Sequence, residues 1–194
     1  MREYDERTAL IVTDVQNDFA DPGGSLYVYS GEEILSFVNG QIDEARVREA
    51  IVVYTQDWHP PNTPHFQKDG GVWPVHCLQG SWGASFHPAL QVEGEIVKKG
   101  SGGEDGYSGF SVRDPLSGER GDTRLGALLR TRGIQRVVIA GIATDYCVKE
   151  TALDAKRLGF EVVVLGDGIR PVDLQPGDGE RAIEEMIAAG ARVE

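Results

Sequence analysis

Short apolar runs of strand length, each closed by an acid or a glycine, restrict this chain more than any other feature. They occupy residues 8–15, 50–56, 137–140 and 160–165, and a shorter one at 95–100 ends in two lysines and Gly100. Helical spacing lies between them. Ile34, Val38 and Ile42 mark a crossover helix over 32–44; Leu125, Leu128 and Leu129 mark one capped by Asp122 and ended near Gly133. Val148, Ala152, Ala155 and Leu158 follow before Gly159, and Ile183, Met186 and Ile187 lie inward on 179–190, leaving 191–193 for a last edge strand. Residues 113–121, polar with Pro115 and Gly118, read as surface loop, and Gly166-Asp167-Gly168 ends the strand at 160–165. Strands alternating with helices predict an α/β fold: a mainly parallel sheet with helices on both faces, three layers α/β/α. At 194 residues, one domain over 1–194 is expected.

Within that frame one stretch carries chemistry, Gly141-Ile142-Ala143-Thr144-Asp145-Tyr146-Cys147-Val148. It reads as strand end, tight turn and helix start, with Thr144 as N-cap. Cys147 then falls in the first helical turn, where unpaired N–H groups and the helix dipole favour negative charge. A thiol so placed is expected to have a depressed pKa and to act as a nucleophile. The same N–H groups would hold an oxyanion. A small buried cysteine is the ordinary alternative, but open α/β sheets bind ligands at the carboxyl ends of their strands.

Other polar residues stand at such ends. Asp14 lies near the end of the first run, where capping the next loop is its ordinary role. Asp57 and His59, at i and i+2 on extended chain, project to one side. With His65 and His76 they place three of the four histidines and a carboxylate in one proline-rich, aromatic segment. Such an oxygen and nitrogen set suits Zn²⁺, Fe²⁺ or Mn²⁺, although loop histidines bonded to backbone would look the same. His87 reads as an ordinary loop residue and Cys77 as a packed thiol. The loop Ser101-Gly102-Gly103-Glu104-Asp105-Gly106 lacks the Gly-Lys-Ser/Thr ending of a phosphate loop, so nucleotide binding there is rejected.

The net charge of −12 argues against nucleic acid. No apolar run is long enough to span a membrane, and the first six residues lack the apolar core of a signal peptide. With two cysteines, a reduced cytoplasmic protein is expected.

The motifs Asp14-Val-Gln-Asn-Asp-Phe19, Asp57-Trp-His59, Lys99-Gly100, Tyr107-Ser-Gly-Phe110 and Gly141-Ile-Ala-Thr-Asp-Tyr-Cys147 resemble those of nicotinamidases, in the same order, over about residues 8–165. These are isochorismatase-like cysteine hydrolases. The resemblance implies a triad of Asp14, Lys99 and Cys147, with Lys99 chosen over Lys98 by its place beside Gly100. It implies a divalent ion (Zn²⁺, or Fe²⁺ or Mn²⁺) held by Asp57, His59 and His76, with His65 a further ligand in part of the family. Phe19 and Trp73 would sandwich the substrate ring, with Tyr107 beside them. Ala143, after a cis bond from Ile142, and Cys147 would supply the oxyanion hole. Hydrolysis of nicotinamide through a thioester, a place in NAD salvage and compatibility with a homo-oligomer follow from it. The rival within the superfamily is an amidohydrolase acting on a ureido or carbamoyl group, which would not need the Asp57, His59 and His76 set.

Overall fold

A computed structural model describes residues 4–194; residues 1–3, half of the stretch read for a leader, lie outside the described residues. The strands are β1 (Thr8–Thr13), β2 (Ile51–Asp57), β3 (Glu95–Lys99), β4 (Ser111–Arg113), β5 (Arg120–Asp122), β6 (Arg136–Ile142), β7 (Glu161–Arg170) and β8 (Arg192–Val193). Six of them form one sheet in the order β3-β2-β1-β6-β7-β8, and every neighbouring pair is parallel. The central strands are continuous apolar runs because both of their faces are covered.

The helices are α1 (Asn17–Ala20, a single turn), α2 (Leu35–Val47), α3 (Leu125–Thr131), α4 (Lys149–Arg157) and α5 (Asp178–Ala188). Strand alternation sends Leu10, Val12, Val52 and Tyr54 to the face covered by Val38 and Ile42 of α2. Ala9, Ile11, Val53 and Ile139 point the other way, onto Leu125 and Leu129 of α3, Ala152 and Ala155 of α4, and Met186 of α5. Each fully buried aliphatic side chain in these layers contributes about 1.5–3 kcal/mol. The expected three-layer α/β/α architecture is present.

Local boundaries differ in instructive ways. Residues 113–121 are not wholly loop, because β4 and β5 pair antiparallel into a small ribbon outside the main sheet. Asp122 belongs to β5 and is not the cap: the N-cap is Arg124, with no side-chain cap, and just before it Thr123 Oγ1 accepts the Leu125 N–H at 3.1 Å and donates to the Gly109 carbonyl. The crossover helix is preceded by a 3-10 turn, Gly31–Ile34, and runs to Val47. β7 does not stop at Gly166-Asp167-Gly168 but continues to Arg170, with an irregular register against β6 between Ile139 and Gly141. Gly141 sits there at φ +126°, and a Cβ would run into the backbone of Thr13. Only glycine lets β1 and β6 approach so closely.

The sheet order sets the site. The chain moves outward from β1 through β2 to β3, then returns to place β6 on the other side of β1. The crevice beyond the carboxyl ends of β1 and β6 is the switch point where α/β sheets bind ligands.

Candidate active site

Four strand ends converge at this crevice. Asp14 follows β1 directly and holds φ +49°, a left-handed conformation that turns its carboxyl into the site. Asp57 is the last residue of β2 and Lys99 the last of β3. Alternation along β3 decides between the lysines. Lys99 is buried at 1% exposure, whereas Lys98 points outward, its ammonium 3.5 Å from the centre of the Trp58 ring.

Lys99 Nζ is the electrostatic hub. It lies 2.7 Å from Asp14 Oδ2 and 2.8 Å from Asp57 Oδ1, donates to the Gly106 carbonyl, and stands 3.6 Å from Cys147 Sγ. Asp14 Oδ1 accepts the Thr55 hydroxyl at 2.7 Å. Burial acts against the ammonium, yet Asp14 and then Asp57 outweigh it and hold Lys99 protonated well above its usual range. Burial, opposed by Lys99 and reinforced by the Asp57 charge, raises the Asp14 carboxyl.

The turn that carries Cys147 departs from the expected form. Residues Thr144–Val148 form one π-helical turn leading into α4, preceded by a cis bond between Ile142 and Ala143. Ala143, not Thr144, is the N-cap, and no side chain caps the turn. The wider turn starts one residue early, leaving Thr144 Oγ1 buried without a hydrogen-bond partner. The Val148 N–H bonds the Ala143 carbonyl at 3.0 Å, so the Cys147 N–H stands just ahead of that i to i−5 bond. The expected low thiol pKa is also corrected. Burial pushes Cys147 well up, and Asp14 and Asp57 add to this against the pull of Lys99. These surroundings favour the thiol over the thiolate.

A second cluster lies alongside. His59, His65 and His76 are buried, with one ligating atom from each within 4.8 Å of the others. Asp57 Oδ2 faces them, 3.4 Å from His59 Nε2 and 3.6 Å from His76 Nε2. Neither ring nitrogen of His59 has a hydrogen-bond partner among the described residues. His76 Nδ1 lies 2.8 Å from the Pro74 carbonyl and His65 Nδ1 2.6 Å from Asp105 Oδ1. Those contacts occupy one nitrogen of each ring and leave Nε2 for a ligand, the outer-shell pattern of metal-binding imidazoles. Burial holds His65 below its usual range against the pull of Asp105, so its neutral, ligating form is favoured. Unpaired buried nitrogens beside a carboxylate fit a divalent cation. Gly100 makes room for this cluster, since a Cβ there would come within 2.5 Å of the His59 ring. His87 lies apart, 3.7 Å from Asp21, and Cys77 is a buried thiol near the Gly83 carbonyl.

Beside the thiol and the histidines opens an apolar pocket walled by Phe19, Trp73, Tyr107, Tyr146 and Ile142, with Cys147 and His76 also lining it. Trp73 Nε1 donates to Tyr107 Oη at 2.8 Å, and Tyr146 meets Trp73 edge-on at 4.9 Å. Burial raises the Tyr107 phenol to about 12, keeping it protonated.

The isochorismatase domain signature matches residues 8–194. The chain belongs to the isochorismatase family. It is 40% identical over 201 residues to the nicotinamidase of Escherichia coli (strain K12), spanning 94% of this chain and 92% of that one. The solved pyrazinamidase of Pyrococcus horikoshii, in complex with zinc, is 42% identical with a TM-score of 0.86, covering 97% of this chain and 98% of that one. PnC1 from L. infantum, in complex with nicotinate, is 36% identical with a TM-score of 0.89, covering 100% and 95%.

Three residues of this isochorismatase-family site escape sequence reading. Gln16 cross-braces β2, accepting the Asp57 N–H at 2.8 Å and donating to the Asp57 and Ala84 carbonyls. Asp145 accepts the N–H groups of Val172 and Asp173, tying the segment after β7 to the turn that carries Cys147. Tyr146 walls the pocket. All three lie inside the motifs around Asp14 and Cys147, which gave them no separate role. Asp105, an unremarked member of the glycine-rich loop, is the fourth omission.

Proposed function

We propose that this protein is a metal-dependent nicotinamidase, hydrolysing nicotinamide to nicotinate and ammonia, a step of NAD salvage. The observation that carries the reading is the placement of Cys147, Lys99 and Asp14 at one end of an aromatic pocket with a histidine and carboxylate cluster beside them. The nicotinamidase and pyrazinamidase relatives support it.

In this mechanism Asp14 takes the Cys147 proton as the sulfur attacks the carboxamide carbon, forming the S–C bond. Lys99 holds thiolate and carboxylate together against their repulsion. The N–H groups of Ala143 and Cys147 receive the oxyanion. Asp14 returns the proton to the amide nitrogen as the C–N bond breaks, releasing ammonia and leaving a thioester. Asp14 then deprotonates water, which attacks the thioester carbon; the C–S bond breaks, nicotinate leaves and the sulfur regains its proton. Phe19 and Trp73 stack on the ring, with Tyr107 fixing the Trp73 indole. Asp57, His59, His76 and His65 would hold one divalent ion, Zn²⁺ or Fe²⁺ or Mn²⁺. When bound, it would supply a Lewis-acid contact that orients the pyridine nitrogen, directly or by a bound water.

The test is ammonia release from nicotinamide by the purified protein, with and without added Zn²⁺, Fe²⁺ or Mn²⁺. Turnover that depends on both the ion and Cys147 is the expected result. No release under any ion, with Cys147 still alkylating, would discard the substrate and keep the nucleophile. Asp57→Ala and His76→Ala are each expected to lose the bound ion and to raise KM more than they lower kcat. Unchanged metal content in both variants would remove the proposed ligand set.

A further inference from the structure

His65 lies in the irregular segment after β2, and Asp105 in the glycine-rich loop after β3, 40 residues further on. Their side chains meet at 2.6 Å, Nδ1 to Oδ1. The backbone of Asp105 is anchored by an isolated antiparallel bridge. Its N–H donates to the Arg113 carbonyl at 2.7 Å, and its carbonyl accepts the Arg113 N–H at 3.0 Å. Beside this, Thr63 Oγ1 donates to the Gly103 carbonyl and accepts the His65 N–H at 3.1 Å. The loop therefore holds the His65 segment at the backbone and the His65 ring at Nδ1.

That grip has a direction. With Nδ1–H donated to a carboxylate, the imidazole lone pair resides on Nε2. The ring is held parallel to His59, 4.4 Å between centres at 16°, with its ligating atom in the cluster of three. A carboxylate partner fixes tautomer and ring orientation and makes the free nitrogen a stronger donor than a carbonyl partner would. Among the described residues His76 Nδ1 has the Pro74 carbonyl in that role, and His59 Nδ1 has no hydrogen-bond partner. Asp105 keeps 19% of its side chain exposed, so core packing does not require its charge.

We propose that Asp105 is a positioning residue that makes His65 a working metal ligand, so that the glycine-rich loop 101–106 sets how tightly the centre holds its ion. The inference rests on the metal-bearing reading above and gives that loop its role.

The experiment measures Zn²⁺ affinity by competition with a chromophoric chelator in the wild-type protein, Asp105→Ala, Asp105→Asn, His65→Ala and the double alanine variant. Absorption of the Co²⁺-loaded proteins is the second readout. Asp105→Ala and His65→Ala should each weaken Zn²⁺ binding about 10–100-fold, the range for losing such a partner. The double variant should bind no more weakly than His65→Ala alone, since Asp105 acts only through that ring. Asp105→Asn, whose side-chain carbonyl still accepts Nδ1–H, should recover most of the affinity. The Co²⁺ band of Asp105→Ala should move toward that of His65→Ala. Wild-type affinity with an unchanged Co²⁺ band in Asp105→Ala would overturn the inference, as would a loss that persists in the His65→Ala background. A wild-type protein that binds no Zn²⁺ would overturn the metal reading and this inference together.

Discussion

Cys147→Ala is expected to lower ammonia release from nicotinamide by about 10⁴-fold or more, the scale on which removing a covalent nucleophile collapses a coupled triad. Fold and metal content should survive. The sulfur is small, and its contact with Lys99 Nζ, at 3.6 Å, is long compared with the two ion pairs that hold the ammonium. Near-ultraviolet circular dichroism and metal analysis of the variant check the fold, and single-turnover kinetics check the chemistry. Residual turnover above about one per cent of wild type would take Cys147 out of the mechanism and leave water, activated some other way, as the nucleophile. The raised thiol pKa matters to this result. Burial disfavours the thiolate, so in the proposed mechanism Cys147 relies on Asp14 to take its proton, and loss of either partner should be comparably severe.

Lys99→Met should unfold the protein more readily than any other single change at the site. The substitution nearly preserves volume but leaves Asp14 and Asp57 buried without the ammonium that lies 2.7 and 2.8 Å from them. Breaking a buried ion pair on one side costs about 3–5 kcal/mol, equivalent to a Tm drop of roughly 6–20 °C for a chain of this size. Thermal unfolding followed by circular dichroism reads the drop, and activity should vanish with it. Adding Asp14→Asn to Lys99→Met should restore part of the lost stability while leaving the enzyme inactive, because it removes one of the stranded charges. A Tm within about 2 °C of wild type in the single variant would mean that the three charges have no net structural role.

The amino-acid sequence by itself determined the layers and the candidate chemistry. Short β-branched runs closed by glycine, such as 137–140, favour buried strands, and helical spacing such as Val148, Ala152 and Ala155 favours a covered helix face, so the α/β class follows from local physics. The acids and the cysteine at strand ends were legible for the same reason, as polar residues placed where an apolar run stops. The ordered motifs then singled out Asp14, Lys99 and Cys147 and the histidine segment. Tertiary structure alone decided how these residues act on one another. The pleat of β3 is what buries Lys99 and turns Lys98 outward, and His59, His65 and His76 come within ligating distance of one another only in the folded chain. The thiol pKa is a sum over burial, one cation and two carboxylates drawn from four strand ends, so a helix-start argument built on neighbours in sequence had the wrong sign. Thr144 lost its expected cap because the turn widened, and Asp105 found His65 across 40 residues. Hydrogen bonds and Coulomb forces act over distances in space, and the sequence orders residues only along the chain.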